Sequence, residues 1–225
     1  MTDQTRVLAI IGSPRSAGSS NSESLASYLL ERLGERGCET NILRVRKALG
    51  SEDAFEGLCS EISAADLVVF ASPLYNDSLP GQAVELLERI ASRRPADASG
   101  PRMSAIVNSG FPEPEHVEPA LAIYERFAKE TGFGWVGGLG IGAGEALGGK
   151  PLAEVGGQAR NMRAALDIAA RAFAAGQPVP AEATAILSKP PMPTWLYTLM
   201  GNWGWRVQAK RNRVRTSLTH RPHRQ

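Results

Sequence analysis

Residues 6–33 read RVLAIIGSPRSAGSSNSESLASYLLERL, and their order decides the fold. Arg6–Ile11 is a continuous run of mostly branched apolar residues, the pattern of a strand buried on both faces. The residues after it are small, polar or glycine, with one arginine, and they end the run abruptly. From Ser20 the apolar residues return at helical spacing (Leu25, Leu29, Leu33), and Ser20-x-x-Glu23 has the form of a capping box. Strand, polar loop and helix together open an α/β unit.

The same alternation continues downstream. Glu39–Val45 reads as a weaker strand, Ser51–Gly57 as connecting loop and Phe55–Ser63 as a short helix. Asp66–Ala71 (DLVVFA) is the clearest buried strand. Gln82–Ala91 is helical, with Val84, Leu87 and Ile90 on one side. Met103–Asn108 gives a fourth strand, Glu118–Thr131 a helix, Gly134–Ile141 a glycine-rich fifth strand, and Gln158–Ala175 a long amphipathic helix. Five strands separated by helices predict a parallel sheet with right-handed crossovers. After Gly176 the pattern stops: residues 177–193 hold five prolines and no periodicity, which predicts an extended connector.

At 225 residues the chain can bury one full core. Its longest apolar runs are far too short to cross a bilayer. The start, MTDQTRVLAIIGSPR, lacks the basic-then-apolar layout of a signal peptide. Cys38 and Cys59 match no metal spacing and no CxxC motif, so the expected setting is a reducing cytoplasm. Carboxylates and histidines do not cluster at ligand spacing, so no metal is expected. His116, within Pro-Glu-Pro-Glu-His, reads as a solvent-facing helix start and not as a catalytic group.

In an open parallel sheet, ligands bind beyond the C-terminal ends of the strands, so the loops there carry the functional reading. The first holds Ser13, Ser16, Ser19, Ser20, Asn21 and Ser22 as short donors and Arg15 as a charge-assisted one. It leads into a helix N-terminus, where free N–H groups favour an anion. A phosphate monoester fits; a helix cap with mobile serines is the alternative. No Gly-Lys-Ser/Thr and no GxGxxG occurs here, which excludes the triphosphate P-loop and the dinucleotide fingerprint. The weak GxGxxA at Gly138, Gly140 and Ala143 reads as chance. After the third strand, Ser72–Gly81 (SPLYNDSLPG) forms a proline-bounded shelf suited to a flat ring, or a loop with Tyr75 packed on the surface. After the fourth, Asn108–Pro112 (NSGFP) again ends a strand in small polar residues and an aromatic.

GSPR-x-x-GSSNS before a helix, SPLYNDSLPG after the third strand and NSGFPE after the fourth resemble the flavodoxin-like NAD(P)H-dependent FMN reductases and quinone reductases over about residues 6–176. The resemblance implies a flavodoxin-like three-layer sandwich whose five-stranded parallel sheet has the order 2-1-3-4-5. Residues 1–176 would be the FMN-binding domain, and 177–225 a Pro-rich connector and basic aromatic C-terminal arm. By the matching motifs, Ser13, Arg15, Ser20, Asn21 and Ser22 would hold the FMN phosphate. Pro73, Leu74, Tyr75, Asn76 and Ser78 would carry the isoalloxazine through backbone N–H groups of Leu74–Asn76. Ser109, Gly110 and Phe111 would line its dimethylbenzene or pyrimidine edge, with Tyr75 and Phe111 bordering the open face. The implied reaction passes electrons from NAD(P)H through FMN to a quinone or similar small acceptor in ping-pong order, with the flavin, not a side chain, carrying the chemistry. An electron-carrier flavoprotein of flavodoxin type and a flavin-free phosphate-binding module are the alternatives. Two features depart from the family pattern: Gln82-Ala83-Val84 stands where many members have a lysine after Pro-Gly, and Glu23 lies close to the expected phosphate. Two distant cysteines exclude the iron–sulfur branch.

The tail has its own character. Seven basic residues and no acid follow Trp205, so the remaining 205 residues carry a net charge of −5 and the whole chain +2. Trp195–Lys210 contains three of the four tryptophans, with Trp195, Leu199 and Trp203 near one helical line, while Gly201 and Gly204 weaken a continuous helix. Packing on its own domain or on a partner subunit, completing a homodimer or homotetramer as is common in the family, is the first expectation. A peripheral interfacial helix on a membrane is the second. Nucleic-acid binding is not expected, since no recognition fold accompanies the arginines.

Overall fold

The computed structural model describes residues 4–94, 99–190 and 194–213. Strand β1 (Arg6–Ile11) runs as its apolar pattern requires, with Val7–Ile11 buried. It is followed by β2 (Glu39–Arg44), β3 (Leu67–Pro73), β4 (Arg102–Asn108) and β5 (Gly134–Ile141). All neighbouring pairs are parallel, and the sheet order is β2-β1-β3-β4-β5. This is the flavodoxin-like order. Asn108 lies level with Pro73 and Ile141, so β3, β4 and β5 end at a common height, while Ile11 lies level with Ala71 and β1 ends two residues earlier.

Helices cover both faces because successive side chains of a strand point to opposite sides. Val7, Ala9 and Ile11 face a layer containing α1 (Asn21–Gly34) and α6 (Arg160–Ala174), through Leu25, Leu29, Leu33, Leu166 and Phe173. Leu8 and Ile10 face the other layer, built by α2 (Val45–Ala48), α3 (Glu52–Ala64), α4 (Gly81–Arg93) and α5 (Glu118–Glu130). Phe55, Leu58, Ile62, Leu86, Ile90, Tyr124 and Phe127 supply its core contacts.

Three local expectations change. Ser51–Gly57 is not a loop: Ser51 is the N-cap of α3, its Oγ accepting from Ala54 N at 3.1 Å, and Glu52 and Asp53 lie favourably in the first turn. Val45 does not extend β2 but begins α2. Residues 177–190 are not only an extended connector. Val179 N donates to Val136 O at 2.8 Å along the open edge of β5, and α7 (Ala181–Leu187) then buries Ala183 and Leu187 against the core. An exposed edge strand needs such a cover, and here the cover comes from the chain that follows α6.

The chain separates into two units, Met1–Pro191 and Met192–Gln225. The second contains α8 (Thr194–Arg211), a continuous helix through Gly201 and Gly204.

Candidate functional site

The first loop leaves β1 with Gly12 N bonded to Ala71 O at 2.8 Å. Ser13 is buried, and its Oγ accepts from Arg15 N at 3.4 Å, while Arg15 itself is exposed. Ser16 O accepts from both Ser19 N and Ser19 Oγ, which closes the loop before the helix. Ser20 is the N-cap of α1: its Oγ accepts from Glu23 N at 3.0 Å and keeps its own hydrogen to donate. The N–H groups of the first turn have no intrahelical acceptor by geometry, so α1 presents donors and a positive dipole end beside this loop.

Glu23 completes only half a capping box. Instead of returning to Ser20 N, its carboxylate accepts from Gly18 N at 3.0 Å and pairs with Arg44 at the end of β2, Nε at 3.4 Å and Nη2 closer still. The Glu23 side chain is only 9% exposed. Its charge is therefore matched by a guanidinium, which removes the apparent conflict with an anion at the same helix start.

The second loop is a rigid hairpin. Tyr75 N and Ser78 O, and Ser78 N and Tyr75 O, bond reciprocally at 2.9 and 3.0 Å. Asn76 and Asp77 occupy the left-handed region (φ 48 and 57), the geometry of a type I′ turn, which Asn and Asp tolerate best among residues with a side chain. Leu74 N donates to Asn108 O at 2.8 Å. Two of the three shelf N–H groups are thus engaged within the protein, leaving Asn76 N as the shelf's donor among the described residues. Below the shelf, Tyr124 is fully buried and its hydroxyl donates to Ser72 Oγ at 3.0 Å. Burial pushes the Tyr124 pKa well above its ordinary value, and the Ser72 contact offsets this only in part.

Asn108 ties the loops together. Its Oδ1 accepts from Ser22 Oγ at 2.7 Å, which uses the hydrogen of that buried hydroxyl. Ser109 Oγ donates to Phe111 O, and Phe111, 59% exposed, packs on His116 with ring centroids 5.0 Å apart. His116 lies exposed in the 3-10 turn Pro114–Val117. A fourth loop, after β5, closes the site: Gly149 N donates to Asn21 Oδ1 at 2.8 Å, Ser24 Oγ to Lys150 O at 2.6 Å, and Gly144 N to Ser109 O at 2.7 Å. A Cβ at Gly144 would sit 2.9 Å from Asn108 Nδ2, and one at Gly149 only 2.7 Å from Ser19 O, so neither position has room for a side chain.

These loops meet around a cleft lined by Ser13, Arg15, Ser20, Asn21, Pro73, Leu74, Tyr75, Asn108, Gly110 and Glu145. Eight of these ten are expected site residues; Ser22, Asn76, Ser78, Ser109 and Phe111 are not in its lining. Asn108 and Glu145 were not expected. The rule that ligands bind beyond strand ends points to the loop after β5 as well, and that signal could have found Glu145. Larger hollows lie near the start of β1 and β2 and against α2 and α3, but neither gathers the loops at the strand ends. Among the described residues no three His, Cys, Asp or Glu side chains group so as to hold a metal ion.

The donor set fits a phosphate at the start of α1, and the hairpin beside it offers a planar group a fixed edge. The same sheet and helix arrangement occurs in an FMN-dependent NADH-azoreductase from Bacillus anthracis solved in complex with FMN (17% identity, TM-score 0.55, 76% of this chain and 100% of that one). It occurs again in an NAD(P)H:quinone oxidoreductase from Methanothermobacter marburgensis (14% identity, TM-score 0.53, 76% and 95%). No curated protein sequence matches the chain. A family model does: that of the NADPH-dependent FMN reductases aligns with residues 5–110, from β1 through Gly110. Those residues, which hold the first two loops and the start of the third, are similar to the NADPH-dependent FMN reductase family.

Proposed function

We propose that this protein is an FMN-dependent NAD(P)H oxidoreductase that delivers electrons to a quinone or a similar small acceptor. The observation that carries the reading is the convergence of three strand-end loops, in family order, on one cleft. Residues 1–176 form the flavin-binding part, and the protein works in the cytoplasm as a homodimer or homotetramer. Arg15 and the Ser13 and Ser20 hydroxyls, with the first N–H groups of α1, hold the phosphate. The Pro73–Ser78 hairpin and the Asn76 N–H orient the ring, while Tyr75 and Phe111 border the face on which nicotinamide and acceptor stack in turn. Bound FMN supplies the hydride and electron transfer. Asn108 and the Glu23–Arg44 pair hold the loops in register with one another.

The test is spectroscopic. Purified protein titrated with FMN should quench its fluorescence at a stoichiometry of one. The flavin bands should bleach on anaerobic NADPH and return on adding a benzoquinone. Arg15→Ala should weaken FMN binding by about tenfold or more, the usual worth of a charge-assisted hydrogen bond. Absence of FMN binding overturns the site; FMN binding without bleaching by NADPH or NADH leaves a carrier and overturns the enzyme.

A further inference from the structure

Two residues of the cleft wall, Asn108 and Glu145, carry polar ends that the loops' own bonding leaves unused. Asn108 is 5% exposed, and its Oδ1 is taken by Ser22 Oγ, which fixes how the amide is turned. Its Nδ2 has no acceptor among the described residues. Nor is Nδ2 one of the polar atoms sealed away without a partner, which are Arg32 Nε, Gln82 Oε1 and Arg102 Nη1. The amide hydrogens therefore open on the cleft that Asn108 lines.

Glu145 stands in the same wall, because Gly144 beside it packs on this nitrogen with no room for a side chain. Among the described residues its carboxylate has no hydrogen bond and no ion pair, not even with Arg15, the other charged residue of the lining. The turn that presents it is held under strain. Ala143 is fully buried in the left-handed region (φ 54, ψ 28), and its N–H donates to Phe111 O at 2.5 Å. Such conformations persist where the surrounding structure must put a residue in one place.

An amide donor next to a carboxylate acceptor suits neither an anion, which Glu145 repels, nor an ammonium, which Asn108 cannot serve. A hydroxyl both donates and accepts, so neighbouring hydroxyls satisfy both ends. The position agrees with that chemistry. Asn108 lies level with Pro73 at the shelf and is tied to Ser22 in the first turn of α1, so it stands between the ring's end of the cleft and the phosphate's. We infer that Asn108 and Glu145 form a polyol subsite that reads the hydroxylated chain joining ring to phosphate in FMN, Nδ2 donating to one hydroxyl and the carboxylate accepting from another. This inference rests on the flavin reading of the cleft and adds to it two specificity residues, one of them on the loop after β5.

The test compares FMN with a flavin whose phosphate sits on a plain N10 pentyl chain without hydroxyls, each titrated into full-length protein by flavin fluorescence. The wild type should bind FMN about tenfold or more tightly than the hydroxyl-free flavin. Glu145→Ala should shrink that preference by about threefold to tenfold with circular dichroism and melting unchanged, since this side chain bonds to nothing in the fold. Asn108→Asp keeps the acceptor for Ser22 and removes the donor; it should shrink the preference similarly, and the double variant should bind both flavins alike. Equal wild-type affinity for the two flavins overturns this inference alone. So does an equal loss for both flavins in the variants, which would leave Asn108 a loop tie and Glu145 a solvated carboxylate. Failure of either flavin to bind overturns the flavin reading beneath it.

Discussion

At the scale of single residues, the charge arrangement behind the first loop is the least obvious and the most testable feature. Arg44 neutralises Glu23 next to the helix start where the proposed site would hold a phosphate. Arg44→Leu leaves that carboxylate uncompensated beside the anion, so FMN affinity at pH 7 should fall by about tenfold. Adding Glu23→Gln should restore most of it, as measured by flavin fluorescence titration; equal losses in both single variants and the double would show a loop staple only. Tyr124 makes a second prediction, through pH. Burial raises its pKa in the folded protein, so the folded state holds the phenolic proton more tightly than the unfolded chain does. The resulting stability is complete below the unfolded value near ~10 and is lost as pH rises toward the higher folded value. Denaturant titrations should show stability falling above about pH 10. Tyr124→Phe should be less stable by about 1 kcal/mol at pH 7 yet fall less steeply in alkali. Neither role was legible in sequence. Glu23 is visible as a capping-box residue, but its partner is 21 positions away at the end of β2, and Tyr124 meets Ser72 only through the packing of α5 on the sheet.

At the scale of elements, legibility followed the strength of the local signal. Continuous apolar runs located β1 and β3, and alternating helical spacing located α1, α4, α5 and α6. The start of α3 was missed because Ser51-Glu-Asp looks like a polar loop, although a serine N-cap followed by two acids is also a helix-start pattern. α7 was missed for a different reason. It has only seven residues between prolines, too short for periodicity to register, and it exists because β5 needs a covered edge and the core accepts Ala183 and Leu187. Leu187→Ala should therefore cost about 2–5 kcal/mol of stability in urea unfolding, as a core leucine does, although it lies in what reads as a linker. A loss under about 0.5 kcal/mol would mean that α7 merely rests on the surface. The first three loops were legible because small polar residues follow strands directly. The loop after β5 was not, since GEALGGKP reads as a glycine-rich strand end, and its closeness to the other loops shows only where Gly144 and Gly149 meet Asn108 and Ser19.

At the scale of the whole molecule, charge divides as the chain does. The residues up to Trp205 carry −5, and the seven basic residues beyond give the +2 total and a pI near 8.7. A chain ended after Pro190 should focus at an acidic pI and keep its FMN affinity within about twofold, because every residue lining the cleft precedes that point. A tenfold loss of affinity would place the tail in the flavin site. The bond from Val179 to Val136 has a further consequence, in the order of synthesis. A chain emerging from the ribosome can pair all five strands once residue 141 is free, but the outer edge of β5 stays bare until residues 177–187 follow. A nascent chain paused in that interval is a nearly finished sheet whose β5 border is still adhesive, the species that holdase chaperones capture and that neighbouring nascent chains would join.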